Sequence, residues 1–345
     1  MALTTLCEIE KLPKVDLHRH VDGSVKSELV WQLAKYQGKQ LLQNSVEKLD
    51  DFLKIHQGMS VEQIMAKFDL VKSFMQTWED IALVFYEQVI DLAKENIVYT
   101  ELRFAPEYHT CQGLTLEQVV RAALYGIRKG QRYCRRDPAL SDVKVKLILC
   151  IARECGMAMS KKVAQIAISF QDAGVVAVDL ACNEAKYPPE LHVPAYSLIN
   201  RSRLYGTAHA GEFGDTPISN IRACQRMLRV NRLGHANGIA KHSDLLSYCS
   251  KGKIGIEICP ISIKTSGGIK SFNELELNVL ESAGVLFNIN SDDPALFGKS
   301  LSENILAVAT VYQWSLNDII QKMRDAVEMS FQSEVEKKQL VQMYF

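Results

Sequence analysis

Eight short runs of apolar and β-branched residues recur along the chain, and the intervals between them read mostly as helix. That alternation is the signature of a parallel sheet wrapped by helices. The runs are 14–18 (KVDLH), 98–104 (VYTELRF), 145–151 (VKLILCI), 175–180 (VVAVDL), 204–209 (LYGTAH), 232–235 (RLGH), 254–259 (IGIEIC) and 285–290 (VLFNIN). Between them, 115–136 carries a helical stripe at Val119, Val120, Ala123, Leu124 and Ile127, opened by a Thr115/Gln118 capping box. Near the end, Ser315 precedes a second stripe at Ile319, Ile320 and Met323. No Pro/Gly/Ser-rich linker interrupts the series, so the pattern predicts one TIM (β/α)8 barrel, and 345 residues fit one. An open doubly wound sheet would need a glycine-rich phosphate turn after an early strand, and none is present. FGKS at 297–300 is no substitute, because the first glycine of a phosphate loop would fall on Asp293.

The interval 24–96, between the first two strands, exceeds what one crossover helix requires and contains several helical patterns, including 61–74. A long insertion after a barrel strand lies on the face where barrel enzymes carry their chemistry, so a helical lid is expected there. The alternative is extra packing around the barrel's outside.

Composition narrows the class of partner. Lysine plus arginine equals aspartate plus glutamate at 40 each, so the zero net charge argues against nucleic-acid and anionic-membrane partners and suits a small, weakly charged substrate. Nine cysteines at irregular spacing, with no CxxC pair, read as reduced thiols. The first twenty residues lack the basic start and apolar run of a signal peptide, and no stretch is long and apolar enough to span a membrane. A cytoplasmic protein is the expectation, and no motif stands out for a protein partner.

Reacting groups in such barrels sit at the C-terminal ends of the strands. His18 and His20 form an HxH pair at the end of the first strand, and residues two apart on a strand point to one side. His209 ends the fifth strand in TAHAGE, and Asp292 follows the eighth in NSDDP. Three histidines and a carboxylate from three strand ends make a mononuclear nitrogen/oxygen site, for which zinc with an open solvent position is best suited. Singly each element has an ordinary explanation, a hydrogen-bonded histidine or a turn aspartate; their common position at strand ends of one barrel favours the site. Glu212, three residues past His209, could act as general acid/base, or merely favour a helix start. His235 ends the sixth strand and could orient a metal-bound water, or be a buried histidine bonded to backbone. Asp293 could accept a hydrogen bond from a protonated ring nitrogen, or cap the turn ahead of Pro294. His56, His109, His192 and His242 lie outside strand ends and read as ordinary. No HExxH, GxSxG, or HxE with PCxxC pattern occurs.

Taken together and in order, LPKVDLHRHVDG, TAHAGE, RLGH, EICP and SDDP strongly resemble the adenosine deaminase family, from Leu12 through the helices after the last strand. The resemblance implies one zinc ion per chain on an eight-stranded barrel and hydrolytic loss of ammonia from the purine six-position, for adenosine and 2′-deoxyadenosine. It implies His18, His20, His209 and Asp292 as zinc ligands, Glu212 as proton donor to the ring nitrogen beside the reacting carbon, His235 stabilising the attacking hydroxide, and Asp293 bonding the imidazole side of the purine. Asp22 matches a residue that contacts ribose hydroxyls, whereas relatives acting on free adenine tend to carry glutamate there. His20 and Cys182 join it as substrate-facing positions, and Ile64, Met65 and Phe68 resemble the apolar residues of the family's lid helix.

The chain also departs from the pattern. Where the family has a DLAGDE-like stretch this chain has DLACNE, so Cys182 replaces a glycine whose amide contacts the purine and Asn183 replaces an acidic neighbour. Ala236 stands where glycine usually follows the histidine of the sixth strand, and Ile263 where asparagine is common. Other 6-aminopurines (adenine, 5′-modified or N6-substituted adenosine) therefore remain alternatives. A two-metal hydrolase of the wider superfamily would want a lysine at the end of the fourth strand, which DLACNE lacks. A non-catalytic purine-binding barrel would tolerate loss of a ligand or of Glu212, and none is lost.

Overall fold

Strand pairing runs in chain order around a ring. The computed structural model describes residues 4–212, 216 and 218–345. The strands are β1 (Lys14–His20), β2 (Ile97–Phe104), β3 (Lys144–Ala152), β4 (Val175–Ala181), β5 (Tyr205–Ala210), β6 (Arg232–His235), β7 (Gly255–Ile258) and β8 (Phe287–Ile289). Each pairs in parallel with the next. Past the end of β8, a bridge between Arg19 and Asp292 joins the last strand to the first. The His20 amide donates to the Asp292 carbonyl and the Asp292 amide to the His18 carbonyl, both at 2.9 Å. An open sheet would leave β1 and β8 as free edges; the chain instead forms a nearly closed TIM (β/α)8 barrel.

Period-two alternation sorts each strand into two faces. Outward-facing Val15, Leu17, Leu102, Leu147, Leu149, Val178, Leu180, Leu233, Ile256 and Ile289 are buried in the main apolar core beneath the helices. The interior is far more polar: Asp16, His18, Glu101, Arg103, Asp179, Thr207, His209, Arg232, Glu257 and Asn288 are all buried. Buried charges persist only when paired, and these are. At the floor, Arg232 lies 2.6 Å from both Glu101 and Glu257 and donates to the Met329 carbonyl. Phe331 sits 3.7 Å under that guanidinium and stacks on Tyr205 at 4.6 Å, while its amide donates to Glu101. The segment before the last helix thus stoppers the N-terminal end of the barrel.

The helices form where the capping chemistry begins them. Thr115 and Gln118 close a capping box on Leu116–Cys134, and Ser315 with Asp318 does the same for Leu316–Met329. The interval 24–96 holds four helices, Ser27–Tyr36, Val46–Leu53, Val61–Ser73 and Trp78–Lys94. Trp78–Lys94 packs along Leu116–Cys134 and against β2, so it belongs to the outer ring. Val61–Ser73 instead touches the turns Asp22–Ser24 and Pro106–His109, which follow β1 and β2 at the C-terminal rim. Among the described residues no helix is long and apolar enough to cross a membrane.

Candidate active site

His18 and His20 share the inner face of β1, and His209 reaches toward them from the end of β5. The Nε2 atom of His209 lies 3.1 Å from Nε2 of His18 and 3.1 Å from Nε2 of His20. Asp292 completes the group, its Oδ1 being 3.3 Å from His18 Nε2 and 3.6 Å from His20 Nε2. The opposite ring nitrogens are already engaged: His18 Nδ1 is 2.6 Å from Glu257 and His209 Nδ1 is 3.0 Å from Asp179. With those protons donated to carboxylates, the two Nε2 atoms face each other with bare lone pairs, an arrangement that repels unless a cation sits between them. Four donors about 2.0–2.1 Å from a tetrahedral zinc would be separated by about 3.3 Å, which the observed spacings bracket. The donor set therefore fits a zinc ion.

One neighbour of this cluster, His235, owes its aim to broken alternation. On β6, Arg232 points inward, so His235 should share the outward parity of Leu233. Its φ of 61° is left-handed and turns the ring back toward His18 and His209, with centroids 5.0 and 5.1 Å away. Asp292 sits at φ 60° just past β8. Such backbone costs of order 1–3 kcal/mol per residue and concentrates where function demands a particular aim. His235 Nε2 lies 3.9 Å from Asp292 Oδ2, and His18, His209, His235 and Asp292 offer ligand atoms within 4.8 Å of one another. Both its ring nitrogens are buried without a hydrogen-bond partner among the described residues. Burial pulls its pKa down to about 3, so it faces the site as neutral imidazole.

Glu212 follows the β5 exit, partly buried, and its carboxyl is pushed up to about 8 by desolvation, with the nearby Asp292 and Glu184 charges adding to the effect. A carboxyl in that state carries a proton at neutral pH. Asp293 is raised well above the usual carboxylate range by burial and by Asp292, Asp22 and Glu212, and its Oδ1 has no hydrogen-bond partner among the described residues. It lies against Gly23, where a Cβ would fall 1.7 Å from that oxygen, so only glycine in HVDG admits this carboxyl. Asp22, in the same turn, is raised by burial, with the Lys72 ammonium opposing.

The departures from the family pattern have structural consequences. Cys182 and Ala236 adopt left-handed φ values of 75° and 50°, conformations that glycine takes without strain. The Cys182 Sγ is 3.5 Å from the Tyr108 hydroxyl, which donates to Glu154 at 2.5 Å. Cys182 and Tyr108 edge a shelf of small buried side chains, Ala105, Cys150, Ala152 and Ala181, at the rims of β2 to β4. Ile263 is wholly buried in the apolar core. Ile64 and Phe68 pack against the core from Val61–Ser73, and Met65 is half-buried beside them. Of the remaining histidines, His109 bonds the Met75 carbonyl and His192 the Ser160 hydroxyl, both away from the metal donors, while His56 is exposed and His242 partly exposed.

Sequence reading missed the groups behind the ligands. Arg103 on β2 bridges Asp179 at 3.0 Å and Glu257 at 2.9 Å, so one buried guanidinium joins the carboxylates that hold His18 and His209. Arg153 donates to the His209 carbonyl at 2.6 Å. Their signal was there in ELRF, VVAVDL and EICP: a charged residue at the inward parity of an apolar barrel strand must have a partner.

The adenosine deaminase family model matches residues 13–344. The chain is 32% identical to an adenosine deaminase of Clostridium acetobutylicum, over 97% of each chain. Among solved structures it resembles an Arabidopsis N6-mAMP deaminase at 25% identity and a TM-score of 0.83, covering 97% of this chain and 98% of that one. A Burkholderia ambifaria amidohydrolase with bound Zn superposes with a TM-score of 0.88 at 20% identity, covering 100% of this chain and 93% of that one.

Proposed function

The chain belongs to the adenosine deaminase family of hydrolases, and from that premise we propose that it converts adenosine, and 2′-deoxyadenosine with it, to inosine and ammonia with one zinc ion per chain. The observation that carries this reading is the convergence of three imidazole Nε2 atoms and one carboxylate oxygen at spacings of 3.1–3.6 Å. His18, His20, His209 and Asp292 would hold the ion. When bound, zinc supplies a water acidified toward neutral pH.

The protein's own groups carry the remaining chemistry. Glu212 delivers its proton to the ring nitrogen beside the six-position as water adds there, so negative charge never accumulates on the purine. Neutral His235, beside Asp292 Oδ2, accepts and orients the attacking water. Asp293 pairs with the imidazole side of the purine, where its otherwise unpartnered oxygen gains a hydrogen bond. Asp22 and His20 take the sugar hydroxyls, and the amide of Cys182 meets the base over the alanine shelf. The helix Val61–Ser73, with Ile64, Met65 and Phe68, acts as a lid that excludes water and keeps the Glu212 carboxyl protonated.

A second reading, a purine nucleotide or other 5′-modified or N6-substituted substrate, draws on Lys72. Its buried ammonium lies 3.9 Å over the Tyr108 ring and 2.9 Å from Asp69, and acts on Asp22. The cysteines form no disulfide, consistent with a reducing cytosol.

The test follows the ultraviolet change on deamination with adenosine, 2′-deoxyadenosine, adenine, 5′-methylthioadenosine, AMP and N6-methyl-AMP in parallel, with and without chelator. Chelator-sensitive turnover of adenosine is the expected result. Preference for a nucleotide would move the assignment to the second reading, and inertness of zinc-loaded, folded protein toward every purine would sink both.

A further inference from the structure

The turn that delivers Glu212 is gripped by a carboxylate that nothing above uses. After β5 the chain bends at Gly211, whose φ is 73° and whose missing Cβ would meet Asn237 backbone atoms at 3.0 Å. The amides of Gly211 and Glu212 lie beyond the ladder between β5 and β6, which ends at Ala210. Glu184, 1% exposed on the segment after β4, takes both. Its two oxygens accept from the Gly211 amide at 2.9 and 3.0 Å, and Oε2 also accepts from the Glu212 amide at 3.3 Å. Oε1 accepts in addition from Asn220 Nδ2 at 3.0 Å, which fixes the carboxylate from behind. Among the described residues each hydrogen bond to this group comes from an N–H donor, and both oxygens are engaged as acceptors.

Resting on the deaminase reading above, we infer that Glu184 is a positioning residue for the general acid: it holds the Gly211–Glu212 peptide so that the Glu212 carboxyl points at the substrate ring. The neighbouring peptide is held in the opposite sense, since Arg153 donates to the His209 carbonyl at 2.6 Å. A buried anion and a buried cation thus clamp successive peptides of the β5 exit, the cation on the metal-ligand residue and the anion on the acid. Glutamine cannot replace Glu184. Its amide would turn an NH2 toward either the backbone N–H pair or the Asn220 amide, donor against donor. A shift of about 1 Å in a reacting group costs on the order of 100-fold in rate.

The experiment compares wild type with E184Q and N220A as zinc-loaded full chains. It measures kcat and KM on the best purine, zinc content, thermal midpoint, and the inhibition constant of 1-deazaadenosine, which has carbon where the acid must deliver its proton. The expected E184Q result is a kcat loss of about 100-fold, with KM, zinc content and 1-deazaadenosine inhibition little changed. N220A, which keeps the grip on both amides and loses only its rear support, should show the same split at smaller amplitude. Should E184Q fail to fold, the split in N220A decides. Near-normal kcat in either folded variant would overturn the assignment. So would a loss of zinc, or inhibition by 1-deazaadenosine weakening in step with turnover, because either makes Glu184 a general structural support. If wild type consumes no purine the function itself fails, which is a different outcome from an active wild type and an undiminished E184Q.

Discussion

The two ends of the barrel bury charge in opposite ways. At the floor, Arg232 is satisfied by Glu101, Glu257 and a carbonyl, and Phe331 seals the opening. At the C-terminal rim, His235 and the Asp293 Oδ1 are just as buried yet lack partners among the described residues, and the Nε2 atoms of His18 and His209 confront each other at 3.1 Å. Desolvating a polar group costs the same at either end, so the floor recovers that cost within the fold, whereas the rim leaves it for an ion and a substrate to recover. Left-handed backbone is present at both ends, but at the floor it ends helices, as at Asn96 and Lys253 ahead of β2 and β7, whereas at the rim it follows strands. Cys182, His235, Ala236 and Asp292 all lie just past or at the C-terminal ends of their strands.

That contrast can be broken most forcefully by removing the metal. Chelation should abolish turnover and lower the thermal midpoint, with both restored by stoichiometric zinc; a chelated protein that keeps full activity would dismiss the rim site. Next comes Glu212→Gln, for which a fall of about 10³-fold in kcat is expected with zinc still bound, checked by turnover and metal analysis on one sample. Arg232→Met tests the other end. It leaves Glu101 and Glu257 short of a cation and should cost about 3–5 kcal/mol in chemical denaturation, while the folded protein keeps its kcat. A loss of kcat without a loss of stability would show that the floor is not the purely structural end.

Smaller effects sharpen the picture. As the proposed acid Glu212 would act when protonated, and with its carboxyl raised to about 8, kcat/KM should hold below that pH and decline as pH rises through it. A decline centred near pH 5 would mean the acid is not this group. Cys182→Gly removes a left-handed Cβ but also a side chain beside Tyr108, so stability should move by about 1 kcal/mol or less. Its KM for the purine should change more than its zinc content, as steady-state kinetics would reveal.

Much of this architecture was legible in the chain. Strand β6 begins and ends where RLGH does, and β1 differs only in running on through His20, so that the HxH pair lies within the strand. The shortest strand, β8, covers only Phe287–Ile289, although the Asn290 amide still donates to the Ile258 carbonyl of β7 at 2.8 Å. The helix caps at Thr115 and Ser315 form as their residues dictate, since a cap is decided within four residues. The metal donors converge because period-two geometry and a closed ring force strand ends together. What stayed hidden depends on distant partners. Nothing local to Arg103 says that it will span from β4 to β7, and no periodicity announces that His235 reverses its parity through a left-handed φ. Glu184 was likewise invisible, because the three described donors to it come from a loop and a helix that follow a different strand.

Arg103 carries a consequence for the life of the holoprotein. Because it cross-links the carboxylates behind His18 and His209, two ligands from opposite sides of the barrel keep their orientation without help from the ion. For the proposed zinc ion, uptake would then be a docking event rather than a folding event, because the receptor is already shaped before the metal arrives.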